Sequence, residues 1–431
     1  MNFFDTDKRL DRLDALATEK ARPAFKTIEQ ISEYNQQKVL SAFISCGVSE
    51  MHLGVTTGYG YDDVGRDTLD KVVAKTFGAQ DALIRHSFAS GTHTLSVALF
   101  GILRPGDTVL ALTGRPYDTI TGVFGIDSKT DGSLRDFGVN YEQTELTPAG
   151  EPDLEAIKSR LKTKFYKMAY IQRSRGYSAR KSLSVETIKQ LCDAVKSVSP
   201  DTVIMVDNCY GEFVEKKEPT EVGADLMAGS LIKNPGGGIA PCGGYIAGKK
   251  EYVEMCAHRM TCAGVGREVG ATLGHNRELF MGFFAAPHTA GEALKTAVYA
   301  SALFSLLGFK TSPETDEPRA DIIEIIYLGC KEALISFCRG LQSGSPVDAA
   351  AVPTPAPMPG YEDDVVMAAG AFTGGASIEL SADAPIREPY CVYMQGGLNF
   401  YSAKVGVLLA ADRLIKNNAE SIRGEYFEKN I

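Results

Sequence analysis

The chain has 431 residues, 44% of them hydrophobic and 23% charged, enough to bury a large core and to make two domains rather than one small module. Its 54 acidic residues against 45 basic ones give a formal charge of −9, which leaves no basic stripe for nucleic acid, and no apolar run approaches the roughly 20 residues of a membrane helix. The start, Met1 to Arg9, turns charged at once without a signal-peptide core, and nine cysteines without framework spacing fit a reducing cytoplasm.

Residues 7–45 read as helical, with Ile28, Ile31, Tyr34 and Val39 among the apolar positions and Gly47 as a stop. This gives an N-terminal helical arm over 1–50, ahead of a large domain over 51–290 and a small one over 291–431. A loop follows the arm, from Gly58 through Tyr59, Gly60 and Tyr61 to Arg66, and leads into a helix with Leu69, Val72, Val73 and Phe77 inward. Two tyrosines and an arginine on a glycine-rich loop suit an anion or a ring; a packed loop would look the same.

From residue 80 the pattern alternates strand and helix: Ala82–Ile84, a helix from about Thr92, Thr108–Leu112, Tyr166–Ile171 and Val203–Val206. Alternation of this kind predicts an α/β domain, a mostly parallel sheet covered by helices. Between the first strand and its helix lies Ser90-Gly91-Thr92, small residues whose free backbone N–H groups at a helix start form a phosphate cradle or a simple cap. Tyr117 stands at the exit of the second strand, where its ring could lie on an aromatic cofactor. Gln172-Arg173-Ser174-Arg175-Gly176-Tyr177 adds polar groups at the end of the next strand.

The stretch 203–248 carries the chemistry. Asp207 closes an apolar strand at the sheet edge where ligands bind in open α/β folds, and Lys233 precedes Pro235-Gly236-Gly237-Gly238. Pyridoxal phosphate needs a lysine for its Schiff base and a carboxylate for its pyridine nitrogen, and these two residues are candidates for both. Taken singly, Asp207 is more often a helix cap or turn former and Lys233 a solvated surface lysine. The glycines lack the GxGxxG and GxxxxGK[ST] spacings, so they read as permitting close backbone approach. Cys256, His258 and Cys262 match no common zinc spacing, and a helix with buried thiols accounts for them. No metal is expected.

Near residue 290 the character changes to helical stretches at about 291–307 and 317–341, a Pro/Ala-rich excursion over 352–360, strand-like runs at Asp364–Met367, Ala376–Leu380 and around Arg387-Glu388-Pro389-Tyr390, and a closing helix. This reads as a small C-terminal α+β domain.

The order Ser90-Gly91-Thr92, Tyr117, Asp207 and Ser230-x-x-Lys233 resembles fold-type I pyridoxal-phosphate enzymes of the cystathionine lyase and methionine γ-lyase group. Closest in form is its methionine γ-lyase-like or "aluminium resistance" branch, through Gln172 to Tyr177, Val206-Asp207-Asn208-Cys209-Tyr210-Gly211-Glu212 and Lys233 to Gly238. The resemblance covers roughly residues 50–430. It implies pyridoxal 5′-phosphate as cofactor, with Lys233 holding it and moving the Cα proton, Asp207 pairing with the pyridinium, and Tyr117 stacking on the ring. Ser90, Gly91, Thr92 and Ser230 would hold the phosphate, Ser174 or Arg175 would flank the phenolic oxygen, and Arg387 would take the substrate carboxylate. It also implies a homo-oligomer, a dimer with shared active sites assembled as a tetramer, in which Tyr59, Tyr61 and Arg66 reach the neighbour's cofactor. Here Arg66 lies five positions after Tyr61, whereas the group has a tight Y-x-R element. The activity expected is carbon–sulfur elimination, β or γ, from an amino acid; an aminotransferase and a non-catalytic cofactor binder are the alternatives.

Overall fold

The computed structural model describes residues 3–127, 131–178, 180–358 and 363–417. Of the segments read above, Met1 and Asn2 at the start and Pro359 and Gly360 in the Pro/Ala-rich excursion lie outside the described residues. In chain order the elements are α1 (Arg9–Ser45), α2 (Val64–Thr76), β1 (Asp81–Arg85), α3 (Gly91–Ile102), β2 (Thr108–Ala111), α4 (Asp118–Phe124), β3 (Asn140–Gln143), α5 (Leu154–Thr163), β4 (Met168–Gln172), α6 (Val185–Val198), β5 (Val203–Asp207), β6 (Leu226–Ser230), β7 (Gly244–Gly248) and α7 (Lys250–Met260). They continue as α8 (Asn276–Leu306), β8 (Lys310–Ser312), β9 (Glu324–Tyr327), α9 (Lys331–Ser343), β10 (Val365–Ala368), β11 (Ser381–Pro385), β12 (Cys391–Gln395) and α10 (Phe400–Asn417). Two compact units result, one from Tyr34 to Ala286 and one joining the residues up to Glu33 with those from Pro287 onward. The arm expected over 1–50 is thus divided between the two.

The first unit holds a seven-stranded sheet in the order β1-β7-β6-β5-β4-β2-β3. Strand β7 is antiparallel to both of its neighbours, whereas the pairs from β6 through β5, β4 and β2 to β3 are all parallel. Parallel pairing demands helical crossovers, which bury both faces, so β4 and β5 are buried at every position and read as unbroken apolar runs. Side chains still alternate across the sheet: Met168, Tyr170, Val203 and Met205 join one core with Leu95 and Leu99 of α3 and Val253 and Ala257 of α7. By the same period Asp207 falls on the face of Met205. Leu69, Val72, Val73 and Phe77 are buried, as the helical spacing over α2 predicts.

The second unit carries a five-stranded antiparallel sheet, β10-β11-β12-β9-β8. Its core brings together Leu334, Phe337 and Leu341 of α9, Val407 and Leu414 of α10, and Val366, Val392 and Met394 of the sheet. Two expectations are corrected here. The helix read over 317–341 is strand β9 followed by α9, because Glu324-Ile-Ile-Tyr327 is a buried β-branched run that pairs with β12. The strand read over Ala376–Leu380 lies one segment later, at Ser381–Pro385, where five small or polar residues are all buried and carry no hydrophobic period.

At the end of β1 a buried ion pair sets the exit of the chain toward α3. Arg85 Nη1 and Nη2 donate to Asp70 Oδ1 and Oδ2 at 2.6 and 2.9 Å, and Asp70 Oδ1 also accepts from the Ile84 N–H at 2.9 Å. Asp70→Ala leaves Arg85 buried without a counter-charge and should cost about 3–5 kcal/mol. A urea titration checks this: the midpoint should fall well below that of an exposed-carboxylate control such as Asp193→Ala, and equal midpoints would contradict it.

Candidate active site

Parallel strands present their carboxyl ends along one sheet edge, and the loops leaving β4, β5 and β6 lie side by side there. Asp207 ends β5. It is buried, its Oδ1 accepts the Cys209 N–H at 3.1 Å, and Tyr170 Oη, on the same face of β4, lies 3.4 Å from its Oδ2. Ser230 ends β6, and its buried Oγ has no hydrogen-bond partner. A Cβ added at Gly91 would stand 3.1 Å from Ser230 Cβ and 3.8 Å from Cys209 Sγ, so the start of α3 abuts both strand ends.

That helix start is capped within the chain. Ser90 is its N-cap, the hydroxyl accepting from the His93 N–H at 3.0 Å, and Thr92 Oγ1 meets Thr119 Oγ1 at 3.0 Å on the first turn of α4. Tyr117, just before α4, is tied to the next strand exit: its N–H donates to Gln172 Oε1 at 2.7 Å, while Gln172 Nε2 donates to Ser174 O at 3.0 Å. Its ring packs edge-on to Tyr177 at 5.5 Å. Gly176 is at φ 58°, and a Cβ there would lie 2.8 Å from the Tyr117 ring, so this position needs glycine twice over.

Lys233 follows β6, with its Nζ 4.0 Å from the centroid of the Tyr210 ring. Partial burial by itself would lower the lysine pKa, but the surrounding Cys209, Tyr210, Asp207 and Glu212 groups hold it above the ordinary lysine value. Asn234 clasps the same turn, its Nδ2 donating to Tyr210 O at 3.0 Å and Glu212 O at 2.9 Å. Tyr210 and Phe213 sit at φ 71° and 63°, left-handed conformations that cost bulky residues about 1–3 kcal/mol each and require such anchoring. Added Cβ atoms at Gly236 and Gly237 would overlap Leu231 O and Gly282 O, so the glycine turn is a close backbone approach.

Behind this turn runs a buried polar chain. Arg173 Nη1 donates to Asn208 Oδ1 and Nη2 to Glu215 Oε2, both at 2.8 Å; Asn208 Nδ2 donates to Glu218 Oε2 at 2.9 Å and to Tyr245 Oη at 3.2 Å; Tyr245 Oη donates to Glu212 Oε1 at 2.8 Å. Burial pushes the Glu212 carboxyl up to about 8, with Glu218 adding to the rise and the Tyr245 bond and Lys233 opposing it. Burial likewise keeps the Cys209 thiol and the Tyr170 and Tyr245 phenols far above their usual values. Sequence reading assigned no role to Tyr170, Tyr245 or Glu212, since an acid or a phenol carries no signal of burial on its own.

The remaining candidates have other partners. Tyr59 and Tyr61 are exposed and stack at 5.5 Å, but Arg66 turns inward: its Nη1 donates to Gly60 O at 2.9 Å and Gly270 O at 3.2 Å, and its Nε pairs with Asp67. Arg387 belongs to the other unit, where it pairs with Asp363 at 3.1 Å, both side chains substantially exposed. Cys256 is buried on α7 against Gly101 of α3, and among the described residues no three His, Cys, Asp or Glu side chains converge as metal ligands.

The profile of the methionine gamma-lyase family matches residues 11–415. The chain belongs to the methionine gamma-lyase family. It is 48% identical over 392 residues to the uncharacterized protein YnbB of Bacillus subtilis, covering 91% of this chain and 93% of that one. A crystal structure from Clostridium novyi NT, described as a carbon–sulfur lyase involved in aluminum resistance, superposes with a TM-score of 0.91 at 49% identity over 95% of this chain and 96% of the other. At 15% identity and a TM-score of 0.61, the pyridoxal-5′-phosphate dependent protein YhfS of Escherichia coli shares the fold over 90% of this chain and 97% of its own. The architecture is fold type I, and the cofactor of this methionine gamma-lyase family member is pyridoxal 5′-phosphate. The residues present fit that group: an orphaned Ser230 hydroxyl, a side-chain-free Gly91 facing it, a buried Asp207 and a lysine in a carboxylate-lined turn.

The two serines separate by experiment. Ser90→Ala removes a helix cap and should cost about 1 kcal/mol of stability. Ser230→Ala breaks no hydrogen bond within the chain, so it should leave thermal stability of the cofactor-free protein near wild type while weakening cofactor retention on dialysis; a large loss of stability with unchanged retention would reverse the assignment.

Proposed function

We propose that the protein is a carbon–sulfur lyase that removes a thiol from a sulfur-containing amino acid by β- or γ-elimination, with water consumed and a 2-oxo acid and ammonia as the other products. The observation that supports this reading most is the adjacency of the β5 and β6 exits. It places an acid, Asp207, and the lysine-bearing turn at one edge beside an unsatisfied hydroxyl, on a chain whose family profile spans almost its whole length. When bound, the cofactor supplies an electron sink for the charge left at the substrate Cα. Lys233 is the amine that would hold the cofactor and move the substrate's Cα proton. Asp207 would pair with the pyridine nitrogen and favour its protonated form, since a nearby carboxylate favours the charged form. Ser90, Gly91, Thr92 and Ser230 would bind the phosphate, Tyr117 would lie on the ring, Ser174 would flank the phenolic oxygen, and Arg387, held only by a surface ion pair worth about 0–1 kcal/mol, would take the substrate carboxylate.

We place the working enzyme as a homo-oligomer in which the loop of one subunit completes the site of the next. Its exposed, stacked Tyr59 and Tyr61 are the groups that reach across, with Arg66 bracing the loop from behind. No helix among the described residues is long and apolar enough to cross a membrane, and all nine cysteines are free thiols, which suits a cytoplasmic enzyme.

Incubation of the loaded protein with L-methionine, L-cysteine and L-cystathionine should release thiol and 2-oxo acid together from at least one of them. Transfer of the amino group to an added 2-oxo acid without thiol release would favour an aminotransferase. In the same assay Asp207→Ala should lower turnover on the order of 100-fold at near-full cofactor occupancy; near-normal turnover would assign the pyridine proton to another group.

A further inference from the structure

Asp63 carries more bonds than a helix cap needs, and none of the roles above uses it. It is buried at the N-cap of α2, where its Oδ1 accepts the Arg66 N–H at 2.8 Å, and that one bond would suffice for a cap. Three further donors come from outside the helix. The hydroxyls of Thr56 and Thr272 both donate to Oδ2, the second at 2.8 Å, and Asn276 Nδ2 donates to Oδ1 at 3.3 Å. Thr272 and Asn276 belong to a segment, 270–276, far along the chain from the loop that Asp63 closes. Backbone bonds run between the same two stretches: the Gly270 N–H donates to Tyr59 O at 2.8 Å, and the Leu273 N–H to Thr56 O at 3.1 Å. The Thr272 N–H donates to Thr56 Oγ1, also at 3.1 Å. The approach is too close for side chains, since a Cβ at Gly60 would stand 2.6 Å from Ala271 Cα and one at Gly65 would stand 2.4 Å from Asn276 Nδ2.

What this clasp holds is a loop, 54–63, with neither helix nor strand of its own. Gly58, Gly60 and Asp62 take left-handed φ values of 63°, 62° and 55°. Between them stand Tyr59 and Tyr61, stacked on each other and 71% and 61% exposed. A loop packed for stability alone would turn its rings inward and leave its carboxylate in water. This one does the reverse. We propose that Asp63 is a positioning residue that fastens the loop to the segment 270–276 and so holds Tyr59 and Tyr61 out for the site of a second copy of this chain. This rests on the reading that the loop of one subunit completes the site of the next. A buried carboxylate met by four uncharged donors is costly to leave short of any of them, so the loop keeps one position. Docking of the second copy then does not have to order it.

The chain has no tryptophan, so Tyr61→Trp places a single reporter at the tip of the loop. In full-length protein carrying that reporter, Asp63→Ala should enlarge the fast component of the tryptophan anisotropy decay; an unchanged decay would overturn the proposal. Titration of the cofactor-free protein with pyridoxal 5′-phosphate is a second readout. A freed loop that is in position about a tenth of the time raises the apparent dissociation constant about tenfold. Thr272→Val keeps the cap on α2 and removes one cross-link, so it should shift both readouts the same way by a smaller amount, and it decides the case if Asp63→Ala does not fold. Subunit mixing separates positioning from a role confined to one chain. Hybrids of Asp63→Ala and Lys233→Ala subunits set an intact loop against an intact lysine, so turnover should return. No return, with hybrids confirmed by mass, would overturn the proposal. Replacing Tyr59 and Tyr61 together by Ala tests the underlying reading. An unchanged dissociation constant there defeats that reading and the proposal with it, whereas a raised one alongside an unchanged Asp63→Ala defeats only the role of Asp63.

Discussion

The charge balance around Lys233 is what the rest of the site depends on. The lysine lies over the face of Tyr210, and the groups of Cys209, Tyr210, Asp207 and Glu212 hold its ammonium form above the ordinary lysine value against the cost of burial. Breaking one partner strands the others. The left-handed Tyr210 and Phe213 flank Glu212, and Asn234 fastens this turn to that of Lys233 through the carbonyls of Tyr210 and Glu212. Even the glycines follow, since Gly211 and Gly229 leave room for Arg173 and for the Glu212 carboxyl.

Topology delivers these groups. Neighbouring parallel strands end at the same edge: Gln172 is abreast of Asp207, Asp207 is abreast of Ala228, and Ser230 lies two residues farther along β6. Alternation along each strand then decides which side chain faces α3 and which faces away. Tyr170, two residues before the end of β4, reaches Asp207 for that reason. Tyr117, in contrast, is positioned by Gln172 and by the missing side chain of Gly176, a cross-loop arrangement that owes little to strand geometry.

How much of this was legible in the sequence varied with the chemistry of each segment. Val203–Asp207 and Met168–Gln172 announced themselves because double burial forces continuous apolar runs, and the acid closing one of them stood out against that background. Strands β3 and β6 did not: Asn140–Gln143 is a partly exposed edge, and Leu226–Ser230 ends in Ala-Gly-Ser with no β-branched residue. Ser381–Pro385 hid for the same reason. Within the site, Lys233 and Asp207 were readable from residue type and neighbours, but the inward turn of Arg66 was not, since its partners are the carbonyls of Gly60 and the distant Gly270. Burial of Glu212 was equally hidden, because only the folded strand order brings Tyr245 beside it.

The central claim is that Lys233 is the residue through which the protein holds its cofactor, with the surrounding carboxyls serving that amine. Borohydride reduction of the loaded protein, followed by proteolysis and peptide mapping, addresses it directly. The account predicts a single stable adduct on the peptide containing Lys233, lost in Lys233→Ala. An adduct on any other lysine, or none on a protein that is fully loaded, would contradict it.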